Sequence, residues 1–531
     1  MNSSNLILKA NDAIKNNQIH NAIKIFNDVL KIDPNSYEAC SKLGLLNIKI
    51  GNLKASIEYF KKTIFINQNL SFGYSNLGLV YFKLNYKELA LKNYLKAIEL
   101  DPENFSINYN LGNFFFHYDD LDNAEKYYLS SIELQPKNFW PYNNLFQLYD
   151  RSNNLKKLDD IIKKILSIFE RTPQVKFLEG ISEFRKKNYK KTIKIFNELD
   201  ISEKDTQRNV LKSNILAKCY DFVGLYSDAY KHFSLSNNFI ENSTKNSFNK
   251  NRYIDHLKLR LNYIRNDYFK LNNNIEIEDK YEDPIFLFGF PRSGTTLLDT
   301  ILRTHKLINV IEEKSLVDDV IIELNKNLDG ELNKLSTLND HSIKNLRNLY
   351  FGKRKDLVAK NKNLNIDKMP LNIIYIAELI KIFPKAKFII ALRNPKDVVL
   401  SCFMQPFVPN DAMSNFYNLK DTAELYALVM ELWEKYEERL NINFHYVKYE
   451  DVINNFDETV KGLLKFINVK WSEELKNFYL TAEKRGVIHT PSYNQINMPI
   501  YKNSISRWKN YYEKFSEINF LLDKWIKFFG Y

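Results

Sequence analysis

A stretch of apolar and then small residues, Asp283 to Thr296, reads DPIFLFGFPRSGTT and has the residue types of an anion-binding loop. Its apolar run, Ile285 to Phe288, predicts a buried strand, and the sequence LLDTILRTH that follows Thr296 predicts a helix. A loop between a strand and a helix directs backbone N–H groups and the positive end of the helix dipole to one place. The loop is therefore predicted to bind an anion, and Arg292 adds a positive charge within it.

The spacing of Gly289 and Gly294 is that of the two glycines in a nucleoside-triphosphate loop. Thr295 stands where that motif has its lysine, and a loop that binds a triphosphate with magnesium needs the lysine. A P-loop phosphotransferase is therefore an alternative that Thr295 disfavours. A purely structural Gly-Thr turn is the other alternative.

A second strand and helix are predicted downstream, where residues 386–395 read AKFIIALRNP. Arg393 is placed at the carboxyl end of this strand, and Ser401 follows eight residues later on the predicted helix. Ligands of open parallel sheets bind at the carboxyl ends of the strands. Arg393 is thus a candidate phosphate ligand, with a plain surface charge as the alternative.

The run Pro-Arg-Ser-Gly-Thr-Thr at positions 291–296 resembles the 5′-phosphosulfate loop of sulfotransferases. These enzymes use 3′-phosphoadenosine 5′-phosphosulfate (PAPS) as sulfuryl donor, and an Arg and a Ser eight residues apart hold its 3′-phosphate. The resemblance implies a donor site formed by Arg292, Ser293, Gly294, Thr295, Thr296, Arg393 and Ser401.

The second half of the chain is similar, more particularly, to tyrosylprotein sulfotransferases. Residues 305–313, HKLINVIEE, parallel without a gap their segment that ends in a Glu-Glu pair, whose second Glu is the catalytic base. The resemblance implies that Glu313 is the base and that Lys368, in the segment DKMP, assists the transfer. It also implies that Tyr449 contacts the nucleotide and that Ser492, with Arg507-Trp508, belongs to a segment that closes over the donor.

Three departures from this family pattern are visible in the sequence. Gln405 stands where the tyrosylprotein enzymes have a further Arg near the 3′-phosphate, and Met498 stands near their closing Lys, for which Lys502 is a candidate replacement. The membrane anchor and paired cysteines of those secretory enzymes have no counterpart, which favours a bacterial, cytoplasmic relative. The resemblance implies a hydroxyl acceptor, with protein tyrosine, polysaccharide, lipid and small alcohols as the candidates.

Sulfuryl transfer to a hydroxyl needs a base, a cation for the leaving phosphate and in-line positioning, and no metal is expected. Glu313, Lys368 and Arg292 are the candidate catalytic residues for these roles. Glu313 is expected to gain basicity from burial or from its neighbour Glu312. His305 is the next candidate for the base.

The first half of the chain contains an internal repeat of 34 residues, seen in Gly44, Gly78 and Gly112. Each repeat also has a small residue and an aromatic one four positions later: Ala22/Phe26, Ser56/Phe60, Ala90/Tyr94 and Ala124/Tyr128. The pattern resembles the tetratricopeptide repeat, clearly over residues 3–138 and in weaker form to about residue 240. Stacked repeats form a superhelix whose concave face binds an acceptor or a partner protein; a structural scaffold is the alternative.

The whole chain has 531 residues, a net charge of +12 from 76 basic and 64 acidic residues, and three widely spaced cysteines. No apolar run predicts a membrane span, no basic stripe with interleaved aromatics predicts nucleic-acid binding, and the cysteines favour a reducing compartment. The predicted organisation is a tetratricopeptide α-solenoid over 1–240, a helical junction over 241–280, and an α/β, P-loop-like sulfotransferase domain with a central parallel sheet over 281–531. A repeat scaffold with an inactive, nucleotide-binding second half remains the main alternative to a PAPS-dependent enzyme.

Overall fold

The computed structural model of the protein describes residues 3–266, 277, 279–358, 363–484 and 504–531. The chain divides into two compact units, Met1–Lys186 and Lys187–Tyr531. None of the helices in the described part of the chain is long and apolar enough to cross a membrane.

In the residues that the structure describes, the first unit consists of eleven helices, the first ten of which pack as consecutive pairs. They are α1 (Ser3–Lys15), α2 (Ile19–Ile32), α3 (Tyr37–Lys49), α4 (Leu53–Ile66), α5 (Ser71–Lys83), α6 (Lys87–Leu100), α7 (Phe105–His117), α8 (Leu121–Leu134), α9 (Phe139–Arg151), α10 (Leu155–Ile168) and α11 (Pro173–Arg185).

The turn within each pair recurs at the same register. Each of these turns contains a residue with positive φ, and this residue recurs every 34 positions. It is an Asn, Asp or Gly, the residue types that adopt positive φ at least cost: Asn17, Gly51, Asn85, Asp119 and Asn153. Side chains such as Asn52, Asp120 and Asn154 then accept backbone N–H groups at the start of the second helix.

The repeated glycines allow the two helices of a pair to approach closely. A Cβ atom added to Gly44 would lie 2.5 Å from the ring of Phe60, and one added to Gly112 would lie 2.6 Å from the ring of Tyr128. Both aromatic side chains are fully buried. This packing explains the spacing of Gly and aromatic residues, and the predicted helical repeat array is confirmed.

The second unit begins with further helices and continues into a five-stranded sheet. The helices before the sheet are α12 (Tyr189–Asn197), α13 (Thr206–Phe222), α14 (Tyr226–Thr244) and α15 (Lys250–Arg265). The strands are β1 (Ile285–Gly289), β2 (Ile308–Glu312), β3 (Leu364–Lys368), β4 (Lys387–Leu392) and β5 (Phe444–Lys448).

The remaining elements lie between and after the strands. The α-helices are α16 (Thr295–Thr304), α17 (Leu316–Asn327), α18 (Asp340–Arg354), α19 (Ile376–Ile382), α20 (Pro395–Phe403), α21 (Leu419–Arg439), α22 (Tyr449–Asn454), α23 (Phe456–Phe466), α24 (Phe478–Lys484) and α25 (Asn519–Phe528). Short 3₁₀ helices span Leu332–Thr337, Lys355–Leu357, Pro370–Tyr375, Met413–Phe416, Glu473–Asn477 and Arg507–Phe515.

The strand order is β2-β3-β1-β4-β5, and every neighbouring pair is parallel. Side chains alternate between two apolar cores: Phe286 and Phe288 belong to one, and Leu287 to the other. Helices therefore cover both faces, as parallel sheets require. The predicted central parallel sheet is confirmed.

Helices α13 to α15 share the larger of these cores. Phe233 of α14 and Leu261 of α15 are buried in the cluster that contains Phe286 and Phe288. The compact units thus divide upstream of the boundaries predicted at 240 and 280. Those domain boundaries stay a prediction, since one compact unit can contain more than one domain.

The Gly112→Ala variant is expected to destabilise the first unit by about 1 to 3 kcal/mol, because its methyl group has no room beside the buried ring of Tyr128. Chemical denaturation of the full chain measures the change. Gly352→Ala in α18 is the control, because a Cβ there meets open space and alanine favours a helix. Equal stability of the two variants would contradict the close-packing explanation.

Candidate functional site

The predicted anion-binding loop lies between β1 and α16, as the sequence indicates. Arg292 and Gly294 both have positive φ, 69° and 101°, and Gly294 is the N-cap of the helix. The first intrahelical hydrogen bond runs from the Leu298 N–H to the Gly294 carbonyl, so the preceding amides at the helix N-terminus have no partner within the helix. This arrangement provides the N–H groups that an anion needs.

Close packing requires the glycines of this loop. A Cβ on Gly294 would lie 2.9 Å from the ring of Tyr449, the first residue of α22. A Cβ on Gly289 would lie 2.6 Å from the carbonyl oxygen of Ala391 in β4. The loop is thus pressed against the carboxyl ends of β4 and β5.

The structure brings together the two predicted donor-binding motifs. Nε of Arg292 donates to Oγ of Ser401 (2.9 Å), and Nη1 of Arg393 donates to the carbonyl oxygen of Arg292 (3.2 Å). The guanidinium of Arg393 also lies 4.9 Å from the centre of the Tyr449 ring. Arg292, Arg393, Ser401 and Tyr449 therefore form one cluster, although Ser401 follows Arg292 by more than a hundred residues.

Two buried polar atoms of this cluster have no hydrogen-bond partner among the described residues: Oγ of Ser293 and Nε of Arg393. A buried donor without a partner costs about 1 to 3 kcal/mol, so such atoms are unusual unless a ligand pairs with them. Each of the two is a donor that an anionic oxygen of a ligand would satisfy. The residues present therefore fit an anionic ligand at this point.

Glu313 and Lys368 are in direct contact. Nζ of Lys368 donates to Oε1 of Glu313 (2.8 Å) and to Oε1 of Glu312 (3.1 Å). The parallel register of β2 and β3 sets Glu312 opposite Lys368, and the Glu313 N–H donates to the Lys368 carbonyl oxygen (2.8 Å). Lys368 is fully buried, whereas the Glu313 side chain is 42% exposed, so burial, one of the two sources of basicity predicted for Glu313, is incomplete.

Asp299 is a third acidic neighbour of Lys368 that sequence reasoning missed. Its fully buried carboxylate lies 3.9 Å from Nζ of Lys368 and accepts from Nε of Arg303 (2.9 Å). Burial lowers the pKa of Lys368, but the charges of Asp299, Glu313 and Glu312 outweigh burial and keep that pKa above its ordinary value. Lys368 is thus a cation at neutral pH. The helical spacing of Asp299 and Arg303 was the signal that could have indicated the pair.

A cavity of about 450 Å³ lies between the anion-binding loop and Glu313. It is lined by Arg292, Thr295 and Thr296 of the loop and by Glu313 after β2. Its other wall comes from the segments 369–375 and 407–413 and from Tyr253 of α15. A ligand bound in this cavity would therefore contact both the anion-binding loop and the Glu313 carboxylate.

The C-terminal segment around Arg507 closes the other side of Arg393. Nη2 of Arg393 donates to the carbonyl oxygen of Ser504 (2.6 Å), and Asp397 accepts the N–H groups of Ser506 (2.7 Å) and Trp508 (2.9 Å). Arg393, Ser401, Ser504 and Arg507 line one small cavity.

Asp221 of α13 holds this segment in place. Its carboxylate accepts from Nη2 of Arg507 (2.7 Å) and from the hydroxyl of Tyr511 (2.6 Å). Asp221 lies far from the motifs in sequence, and no local pattern marks it. It is a residue that only the tertiary structure could assign to the site.

The other predicted residues have simple placements. Ser492, Met498 and Lys502 lie outside the described residues. His305 is buried away from the cavity lining, with Nε2 3.1 Å from the Lys470 carbonyl oxygen and Nδ1 accepting the Leu307 N–H. In the described part of the chain, no group of three His, Cys, Asp or Glu side chains is placed to hold a metal ion.

Comparison with protein families agrees with this architecture. Residues 284–473 match a family model described as the sulfotransferase family. Residues 87–117 match a TPR repeat model, and residues 37–69 and 105–138 match a tetratricopeptide repeat model. The chain therefore contains tetratricopeptide repeats and a sulfotransferase-family domain.

Curated relatives are distant. An uncharacterized protein of Aquifex aeolicus is 26% identical over 255 residues, covering 46% of this chain and 33% of that protein. Protein-tyrosine sulfotransferase 1 of Danio rerio is 21% identical over 238 residues, covering 42% of this chain and 65% of that enzyme. The chain thus spans from one third to just under two thirds of the length of these relatives.

Solved structures match parts of the chain. A tetratricopeptide repeat protein from Parabacteroides merdae has a TM-score of 0.36 at 16% identity, covering 45% of this chain and 93% of that one. The crystal structure of MamA has a TM-score of 0.28 at 25% identity, covering 30% of this chain and 92% of that one.

The Asp221→Asn variant is expected to loosen the C-terminal segment, because a hydrogen bond to a charged group contributes about 1.5 to 3 kcal/mol. Amide hydrogen exchange at Ser506 and Trp508 should become about tenfold faster. Asp205→Asn is the control: Asp205 caps the same helix, and asparagine caps equally well. Unchanged exchange in Asp221→Asn would remove its anchoring role.

Proposed function

We propose that the protein is a sulfotransferase that moves the sulfuryl group of PAPS to a hydroxyl acceptor. The observation that carries the proposal is the single cavity bordered by the anion-binding loop and by Glu313. The sulfotransferase-family match over residues 284–473 supports the reaction type. The Danio rerio relative is named for protein tyrosine, so a phenolic hydroxyl is one acceptor class to test.

In this proposal the loop residues Arg292, Ser293, Gly294, Thr295 and Thr296 bind the 5′-phosphosulfate. Arg393 and Ser401 bind the 3′-phosphate, Tyr449 contacts the nucleotide, and Ser492 belongs to the closing segment. PAPS supplies the sulfuryl group and leaves as 3′-phosphoadenosine 5′-phosphate. The unpaired Ser293 hydroxyl and Arg393 Nε support this assignment, because both are donors and phosphate oxygens accept hydrogen bonds.

The proposal assigns the catalytic roles to three side chains. Glu313 accepts the proton of the acceptor hydroxyl as that oxygen attacks sulfur. Lys368 and Arg292 stabilise the negative charge that develops on the departing phosphate oxygen as its bond to sulfur breaks. The contact with Lys368 also fixes the position of the Glu313 carboxylate, which is otherwise part exposed.

We further propose that the tetratricopeptide repeats bind the acceptor or a partner protein. The repeat matches between residues 37 and 138 support this role, since stacked repeats present an extended concave surface.

The Arg393→Ala variant is expected to bind 3′-phosphoadenosine 5′-phosphate about 10- to 100-fold more weakly, because charge-assisted contacts to phosphate contribute about 1.5 to 3 kcal/mol. Affinity for adenosine 5′-phosphate should change little. Calorimetry measures both, with the exposed Arg439→Ala as control. Equal losses for the two nucleotides would contradict the 3′-phosphate role, and preferential binding of ATP with magnesium by the wild type would favour a phosphotransferase.

The Glu313→Gln variant keeps the shape of the side chain and removes its basicity. It should lower kcat by about 10² to 10⁴ with donor affinity preserved. Glu312→Gln, which also contacts Lys368, is the matched control and should do less. Sulfate transfer to 4-ethylphenol measures both; near-wild-type turnover in Glu313→Gln would assign the base to another residue.

A further inference from the structure

The wall of the cavity opposite the loop is apolar and aromatic. Met369, Leu371, Tyr375, Phe407 and Met413 line it, all of them part buried. Sites of this composition hold the apolar body of a small ligand, and aromatic walls favour a ring. A phenol also suits a carboxylate base, because its pKa of about 10 is far below that of an aliphatic alcohol.

Most of the charged side chains that line the cavity are acidic. Besides Arg292 and Glu313, its charged lining residues in the described part of the chain are acidic: Asp318 and Asp411. Asp411 is already paired, since its carboxylate accepts from Nη1 of Arg252 (2.8 Å) and from the Asn249 N–H (2.8 Å). Its charge is therefore largely compensated.

Asp318 has no such compensation. Among the described residues its carboxylate has neither an ion pair nor a hydrogen bond. The neighbouring Asp319 instead pairs with Nζ of Lys353 (2.5 Å). Burial, and then the charge of Asp319, raise the pKa of the Asp318 carboxyl, as expected where no cation is close.

A second polar group on the cavity wall also lacks a partner. The hydroxyl of Tyr253 is buried and has no hydrogen-bond partner among the described residues. Asp318 and Tyr253 line the same cavity. Burial, then the neighbouring Tyr375 and, to a smaller extent, the charge of Asp318 raise the pKa of Tyr253, so its hydroxyl stays protonated. The Asp318 carboxylate needs a ligand group that donates hydrogen bonds and carries positive charge, and the lone pair of the Tyr253 hydroxyl oxygen can accept from the same group.

We propose that the acceptor is a phenol that carries a cationic amine, with the ammonium group against Asp318 and Tyr253 and the hydroxyl toward Glu313. This assignment rests on the proposed sulfotransferase function and adds the charge of its acceptor. An acceptor with a carboxylate at the same place would face the uncompensated charge of Asp318 and is disfavoured.

The experiment uses the full chain and three phenols of equal ring structure and different charge. They are tyramine, which is cationic, 4-ethylphenol, which is neutral, and 3-(4-hydroxyphenyl)propionate, which is anionic. We expect kcat/KM for tyramine to exceed that for 4-ethylphenol about tenfold or more, and the anionic phenol to be the poorest acceptor.

Substitutions of Asp318 then test whether its charge causes the preference for tyramine. Asp318→Asn should reduce the ratio of kcat/KM for tyramine to that for 4-ethylphenol to about twofold, and Asp318→Lys should make the anionic phenol the preferred charged acceptor. Asp319→Asn is the matched control, since its carboxylate pairs with Lys353 and does not line the cavity. If Asp318 variants unfold, Tyr253→Phe serves instead and should lower the ratio of kcat/KM for tyramine to that for 4-ethylphenol.

The outcomes separate this inference from the proposed function. Binding of 3′-phosphoadenosine 5′-phosphate is measured by calorimetry in the same preparations. Failure to bind it would overturn the proposed function. Binding with equal transfer to all three phenols, preference for the anionic phenol, or transfer to none would overturn the cationic acceptor and leave the donor assignment standing.

Discussion

The ammonium group of Lys368 is fully buried, and the structure around it follows from that constraint. A charge without access to water needs carboxylates at close range. Glu312, Glu313 and Asp299 supply them from β2, from the residue after β2 and from α16. Since these three elements must meet at Lys368, the order β2-β3-β1 and the parallel register of β2 and β3 are tied to the site.

The parallel sheet has a second consequence for the site. All five strands end at the same edge, so the segments that follow β1, β2, β3 and β4 are brought together there. The anion-binding loop, Glu313, the 369–375 segment and Arg393 each come from one of these ends. A single edge of the sheet thus provides anion-binding groups, an acidic group and an apolar wall.

Helices upstream of the sheet belong to this site as well. Asn214 of α13 donates to the carbonyl oxygen of Met404 (3.2 Å), and Asn237 of α14 donates to that of Phe403 (2.9 Å), at the end of the helix that carries Ser401. Tyr253 of α15 lines the cavity, and Asp221 holds the C-terminal segment. The helices of residues 206–265 therefore support the site from within the second compact unit.

Local sequence determined the elements and the chemical groups. The 34-residue period follows from Gly and aromatic residues that must meet across each helix pair, and the strand, loop and helix at 285–304 follow from hydrophobic period and glycine placement. Tertiary structure decided which groups meet. The contact of Arg292 with Ser401, the pairing of Asp299 with Lys368, and the presence of Tyr253 and Asp318 on one cavity wall join residues distant in the chain. Such contacts depend on strand order and on the packing of whole helices, which no local pattern records.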